Sequence, residues 1–242
     1  MKNLIWIILT SLFVTIGFAN NPIEESTNYT VVAGSGLKLR TSPNLQSSVI
    51  KVIPFGDEVK ELVDTMNVND RIEWMEGSWL KISHGGDEGY VFDGFLSSLP
   101  MPYHDFEYSK EDLMLIPPVD SWISYRYDIV EEPSVHESNE WIKVITPLSG
   151  GHKKIELETP YMYKMSIQLN DTKISEVYHL LKTMLNTRYE IASFEQKSVF
   201  IEDKYGDITR IKIELEEPIE IKKIGEGNIE LNITSFHEGC KL

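Results

Sequence analysis

"GLKLRTSPNLQSSVIKVIPFGDEV", Gly36 to Val59, is the stretch that decides the fold of the first part of this 242-residue chain. Leu37 and Leu39 alternate with Lys38 and Arg40, the period of two of a half-buried strand. A polar turn follows. Val49 to Ile53 supplies a second apolar run, Pro54-Phe55-Gly56-Asp57 a turn, and Glu58-Val59 the start of a third strand. The stretch contains no nucleophile, metal-ligand set or phosphate loop. It predicts a small β-barrel.

The same rhythm continues outward. From Tyr29 to Leu99 short β-like runs alternate with turns rich in Gly, Pro, Asn and Asp. In "WLKI", Leu80 and Ile82 share one face, and Trp79 and Lys81 share the other. In "YVF", Val91 points opposite to Tyr90 and Phe92. A self-consistent core is Leu37, Leu39, Val52, Val59, Leu80, Ile82 and Val91. The alternation turns Trp79 away from that core, together with Tyr90 and Phe92. Trp74 stands nearby on the long segment "VDTMNVNDRIEWME", Val63 to Glu76. These four aromatics, Trp74, Trp79, Tyr90 and Phe92, are the candidate ligand-binding residues, as an apolar strip able to hold a peptide. The competing use of the same strip is to cover the barrel's ends or to pack against the rest of the chain.

Five segments in order resemble the bacterial Src-homology-3-like domain: "LKLRTSP" (Leu37 to Pro43), "SSVIKVI" (Ser47 to Ile53), "PFGDEVKEL" (Pro54 to Leu62), "GSWLKI" (Gly77 to Ile82) and "GYVFDGFL" (Gly89 to Leu96). Two departures stand out. The closing Gly-Trp of many members is Gly89-Tyr90 here, and the Val63–Glu76 segment is longer than usual. The resemblance implies a barrel over residues 30–99 that takes peptide or cell-wall peptide ligands.

The first 19 residues read as a secretory signal peptide. Lys2 precedes an apolar run from Leu4 to Phe18, and Gly17 and Ala19 are small residues where a signal peptidase reads. The run falls short of the roughly 20 residues of a spanning helix, so cleavage and export are expected, to a secreted or periplasmic location, with no stable membrane span afterwards. Residues 20–29 read as a linker. Composition is that of a folded protein, 41% hydrophobic and 25% charged. The 38 acidic against 23 basic side chains give a formal charge of −15, which disfavours nucleic acid as a partner. Cys240 is the single cysteine, so no internal disulfide can form.

Residues 100–242 read as an α+β domain of no recognised family, an antiparallel sheet with one packed helix. Pro100, Pro102, Pro117 and Pro118 mark the change of character after Leu99. Strands are predicted at "ISYRYDI" (Ile123 to Ile129), "WIKVI" (Trp141 to Ile145) and "YMYKMSIQL" (Tyr161 to Leu169). A hairpin is predicted in "SVFIEDKYGDITRIKIEL", turning at Tyr205-Gly206-Asp207, with two more strands at "IEIKKI" and "NIELNITSF". The helix carries Ile174, Val177, Tyr178, Leu181, Met184 and Leu185 at three- and four-residue spacing, with Asn170, Asp171, Thr172 or Ser175 as caps.

Catalytic motifs are absent from the sequence. The six histidines show no local metal spacing, and neither "HES" at His136 nor "HEG" at His237 completes H-E-x-x-H. A cysteine peptidase needs a Cys at a helix start, and Cys240 sits on the tail. The sequence therefore predicts an exported, non-enzymatic cell-envelope protein without cofactor or metal, whose barrel binds a peptide, cell-wall peptide or protein partner. The alternative is a cell-wall hydrolase with its active site in residues 100–242 and the barrel as a targeting domain.

Overall fold

The computed structural model describes residues 27–64, 68–101, 115–185 and 188–237. The expected signal peptide and Cys240 lie outside them. The first half contains β1 (Asn28–Val31), β2 (Leu37–Arg40), β3 (Val49–Ile53), β4 (Glu58–Glu61), β5 (Val68–Ile72), β6 (Met75–His84), β7 (Asp87–Phe92) and β8 (Leu96–Ser97). They pair in the order β3-β2-β7-β6-β4-β1-β8, and β5 adds to β6 as a hairpin arm. The second half contains α1 (Ile116–Arg126), β9 (Ser134–Glu137), β10 (Ile142–Pro147), β11 (Lys153–Glu158), β12 (Met162–Leu169), α2 (Ile174–Thr183), α3 (Arg188–Gln196), β13 (Ser198–Glu202), β14 (Ile208–Ile213), β15 (Ile219–Gly225) and β16 (Asn228–Phe236). Its strands form one antiparallel sheet, β13-β14-β15-β16-β12-β11-β10-β9. The chain is mainly β. Among the described residues no helix is long and apolar enough to cross a membrane.

The barrel core gathers Leu37, Leu39, Ile53, Val59, Ile82 and Val91, with Leu80 packed half-buried against it. Val52 is not part of it and is 50% exposed. The register explains this: Val52 stands opposite Lys38 on the outer side, while Ile53 stands opposite Leu37 and turns inward. Gly89 sits where β2 and β7 come closest, because a Cβ there would lie 2.6 Å from the Arg40 carbonyl oxygen. That approach is the physical reason for glycine in "GYV".

The second half carries three helices among the described residues, where the sequence predicts one. Ile123 to Arg126, read as strand, are the last turn of α1. Pro117 and Pro118 occupy its first turn, where a missing N–H costs nothing. Val119, Trp122 and Ile123 then lie on one face and are buried. The alternation of "ISYRYDI" fits both periods, and the prolines upstream decide for helix. Only Ile129 pairs as a strand would, in a bridge to Leu148. In α3 the short apolar pattern hides the helix, although Phe194 is fully buried. β9 and β11 are also absent from the sequence reading: β9 is exposed at all four residues and so shows no burial alternation. The predicted strands in β10, β12, β15 and β16 and the β13–β14 hairpin are present.

The α2 face forms as its periodicity predicts, with Val177, Tyr178, Leu180 and Leu181 buried. Its cap differs from the four predicted residues. Lys173 precedes the first turn, and its N–H reaches the Glu176 carboxylate at 3.5 Å. Thr172 Oγ1 instead donates to the Asn170 carbonyl at 2.8 Å.

Candidate functional site

The long Val63–Glu76 segment decides the fate of the aromatic face. Its second part forms β5 and folds back on β6, with Val68 opposite Trp79 and Ile72 opposite Met75. Trp79 is thereby 3% exposed, Phe92 2% and Tyr90 9%. Trp79 Nε1 donates to Asp70 Oδ2 on β5 at 3.0 Å, and its ring meets Phe92 edge-on at 6.0 Å. The Tyr90 hydroxyl donates to Asp64 Oδ2 at 2.8 Å, which pushes the phenol pKa up. Together with Met75 these rings form a second small core. The outward face expected for Trp79 is thus an interior: alternation separates the two faces of β6 correctly, but both are buried.

Trp74 follows the positive-φ residue Glu73 at the tip of the β5–β6 hairpin. It enters the second half of the molecule, where its ring lies 5.2 Å from Tyr178, 4.6 Å from Phe200 and 6.3 Å from His179. Of the four predicted aromatics, Trp79, Tyr90 and Phe92 come together, and Trp74 joins the α2 side. Their surroundings are those of the competing use, covering the barrel and packing against the rest of the chain.

Polar contacts fix the barrel on the sheet. Arg71 on β5 donates to the Gly206 carbonyl at 2.5 Å and pairs with Glu202 at 3.2 Å. Lys173 pairs with Asp93, whose other oxygen accepts the Ser78 N–H at 2.8 Å. Glu176, buried at the start of α2, accepts from Ser97 Oγ at 2.7 Å and from the Leu99 N–H at 2.9 Å.

Between barrel and helices this arrangement leaves a cleft of about 670 Å³. One wall is the β1–β2 loop, Val32 to Ser35, with Phe55 and Phe95. The other is α2, through His179, Lys182 and Thr183, then Leu185 just past its end, and α3, through Ile191 and Glu195. The Gly36 N–H closes the loop on the Ala33 carbonyl at 2.9 Å, with Gly36 at φ +82°. Lys182 is held by Glu195 at 2.6 Å. His179 lies 3.3 Å by Nε2 from the Met75 sulfur, and its ring is 5.3 Å from Phe95. Burial drives its pKa down to about 3, so it is neutral near pH 7. Chemically the cleft is mixed: Phe55, Phe95, Leu185 and Ile191 offer apolar surface to aliphatic or aromatic side chains, and Ser35, Glu73, Thr183 and the Lys182–Glu195 pair offer polar groups. Among the described residues no group of three His, Cys, Asp or Glu is arranged to hold a metal ion.

The cleft has no signature in the sequence. Phe55 was legible only as a turn residue, and Ile191 lies on a helix that the periodicity did not reveal. The one signal was the helical stripe of α2, whose buried flank includes His179.

Residues 35–97 match the family model of the bacterial SH3 domain. The barrel is therefore an SH3-like domain, of a kind that serves in binding and targeting. The match covers about a quarter of the chain and none of the sheet and helices that follow. No curated protein and no solved structure matches the chain.

Proposed function

We propose that an SH3-like barrel and an eight-stranded sheet domain act together as an exported, non-enzymatic cell-envelope binding protein. The ligand is a peptide, either a cell-wall peptide or an extended segment of a protein partner, and it lies in the cleft between the barrel and α2–α3. The observation that carries this reading is the cleft itself, with Phe55 and Phe95 on the barrel side and Leu185 and Ile191 on the helix side. Apolar side chains of an extended ligand fill such a trough, and the Lys182–Glu195 pair at the rim orients its backbone. The polar groups on the helix wall support holding rather than cutting: Lys182 is paired with Glu195, and His179 faces a thioether.

The test uses purified full-length chain and two probes: labelled stem peptides released from cell-wall sacculi, and a set of short aliphatic and aromatic peptides. Saturable binding is expected for at least one probe. It should be lost in Thr183→Arg, which places a long side chain in the cleft, and weakened in Phe55→Ala. Binding that survives both changes removes the cleft from the reading. Incubation with intact sacculi is the companion assay, and release of soluble fragments would establish the hydrolase reading instead.

A further inference from the structure

The sheet of the second half has two unlike faces. Cross-strand pairing puts Met165, Ile167 and Leu169 of β12 on the same side as Ile233, Leu231 and Ile229 of β16, and all six are buried. That side carries α1 and α2, the Asp120–Lys154 contact of α1 and the cleft. The opposite side carries Lys143, Lys153, Lys164 and Lys212, each exposed or half-exposed. A depression of about 430 Å³ lies over its centre, lined only by strand and turn residues, among them Lys164, Lys212, Asn232 and Thr234.

The charge of this face runs against that of the chain, whose formal net charge is −15. Of its acids, Glu220 is held by Arg210 at 3.4 Å and Glu230 by Lys222 at 2.7 Å, and the exposed Glu214, which also lines the depression, leaves the lysines in excess. The four lysines make no ion pair with a described residue. Beneath the depression Ser166 donates to Asn232 at 2.6 Å, so the floor is polar and satisfied. Between the lysines the face is aliphatic. Leu157 stands between Lys164 and Lys143 in one cross-strand row, and Ile155 stands opposite Ile145 in the next. Strand spacing sets Lys164 and Lys143 about 10 Å apart at the backbone.

We propose that this open face is a docking surface for an acidic protein segment that carries aliphatic side chains between its carboxylates. Unpaired lysines on an acidic molecule attract a polyanion. The cluster of Leu157, Ile155 and Ile145 over two neighbouring rows selects among polyanions, because a carboxylated glycan would leave those side chains uncovered while a peptide buries them. The face lies across the sheet from the cleft, so the two sites stand or fall separately.

The experiment uses the full chain at low ionic strength with three probes: a fluorescein-labelled peptide of alternating Glu and Leu, poly-glutamate and polygalacturonate. The Glu-Leu peptide is expected to bind saturably, and about tenfold or more tighter than either pure polyanion. Lys143→Glu/Lys164→Glu/Lys212→Glu should weaken it about tenfold or more, with an unchanged thermal melt. Where that variant does not fold, Lys153→Glu/Lys212→Glu, at two exposed positions, serves in its place. The proposal is overturned by absence of saturable peptide binding, by equal binding to the variant, or by equal or tighter binding of polygalacturonate. Concentration-dependent self-association abolished by the same variant would also overturn it, since the face would then receive a second copy of the chain.

Discussion

The Leu99 N–H donates to Oε1 of Glu176 at 2.9 Å across 77 positions of sequence, in a site where both residues are buried. The same oxygen accepts from the backbone N–H and hydroxyl of Ser98 and from Ser97 Oγ. A second buried carboxylate acts in parallel. Glu217 accepts the N–H groups of Leu115 and Ile116 at the start of α1. Two carboxylates thus grip the two ends of the connection between barrel and sheet, Ser97 to Leu99 and Leu115 to Ile116.

Glu176→Ala leaves buried N–H donors without an acceptor. The expected cost is about 2–4 kcal/mol in denaturant melts. Glu176→Gln keeps one carbonyl oxygen as acceptor and should lose clearly less. Equal losses in the two variants would show that packing, not hydrogen bonding, holds the junction.

Trp74→Ala should separate the barrel from the sheet more than it unfolds either. It removes the ring that meets Tyr178 and Phe200, for about 2–3 kcal/mol given partial burial. Limited proteolysis should then cut between the halves faster than in the parent protein. Trp79→Ala, inside the barrel's second core, should instead destabilise the barrel alone.

His179 makes the junction sensitive to acid. Its folded pKa, lowered to about 3 by burial, lies below the ordinary 6.5. Between these values the unfolded chain binds the extra proton, so stability rises with pH in that window. The contribution is complete above about 6.5 and is lost as pH falls toward 3, at up to about 1.4 kcal/mol per pH unit. His179→Phe should flatten that part of the pH–stability profile. An unchanged slope would assign it to other groups.

Glu230 acts on the lower side of the same profile. Lys222, Gln168 and Asn232 outweigh its desolvation and hold its pKa at about 2. Its contribution is present above the ordinary 4.5 and is lost as pH falls through 4.5 toward 2. Glu230→Gln should remove that loss, read as a shallower acid limb in thermal melts between those pH values.

Gly89→Ala tests the close approach of β2 and β7. The new methyl would lie 2.6 Å from the Arg40 carbonyl and 3.0 Å from Leu39 Cδ1. Since one of those atoms is backbone, the strands must part, and about 2–4 kcal/mol of stability should be lost. A neutral effect would mean that the barrel yields easily at this seam.

The sequence by itself determined what depends on local pattern. Alternation placed Leu37, Leu39, Ile82 and Val91 in one core and separated them from Trp79, because side-chain direction in a strand is fixed by parity. It likewise located α2, most of the sheet's strands and the Gly206 hairpin turn. The tertiary structure decided everything that depends on what covers a face. Parity says which side Trp79 faces, and only the fold-back of β5 makes that side interior. "ISYRYDI" satisfied two periods, and the prolines before it and the packing of Trp122 chose the helix. Val52 and Ile53 are both apolar neighbours, and the pairing register alone sent one outward and one inward. The cleft and the basic sheet face were illegible for the same reason. Each gathers residues from distant segments, Phe55 with Ile191 and Lys143 with Lys212, and no spacing along the chain encodes a neighbour that strand pairing and helix docking create.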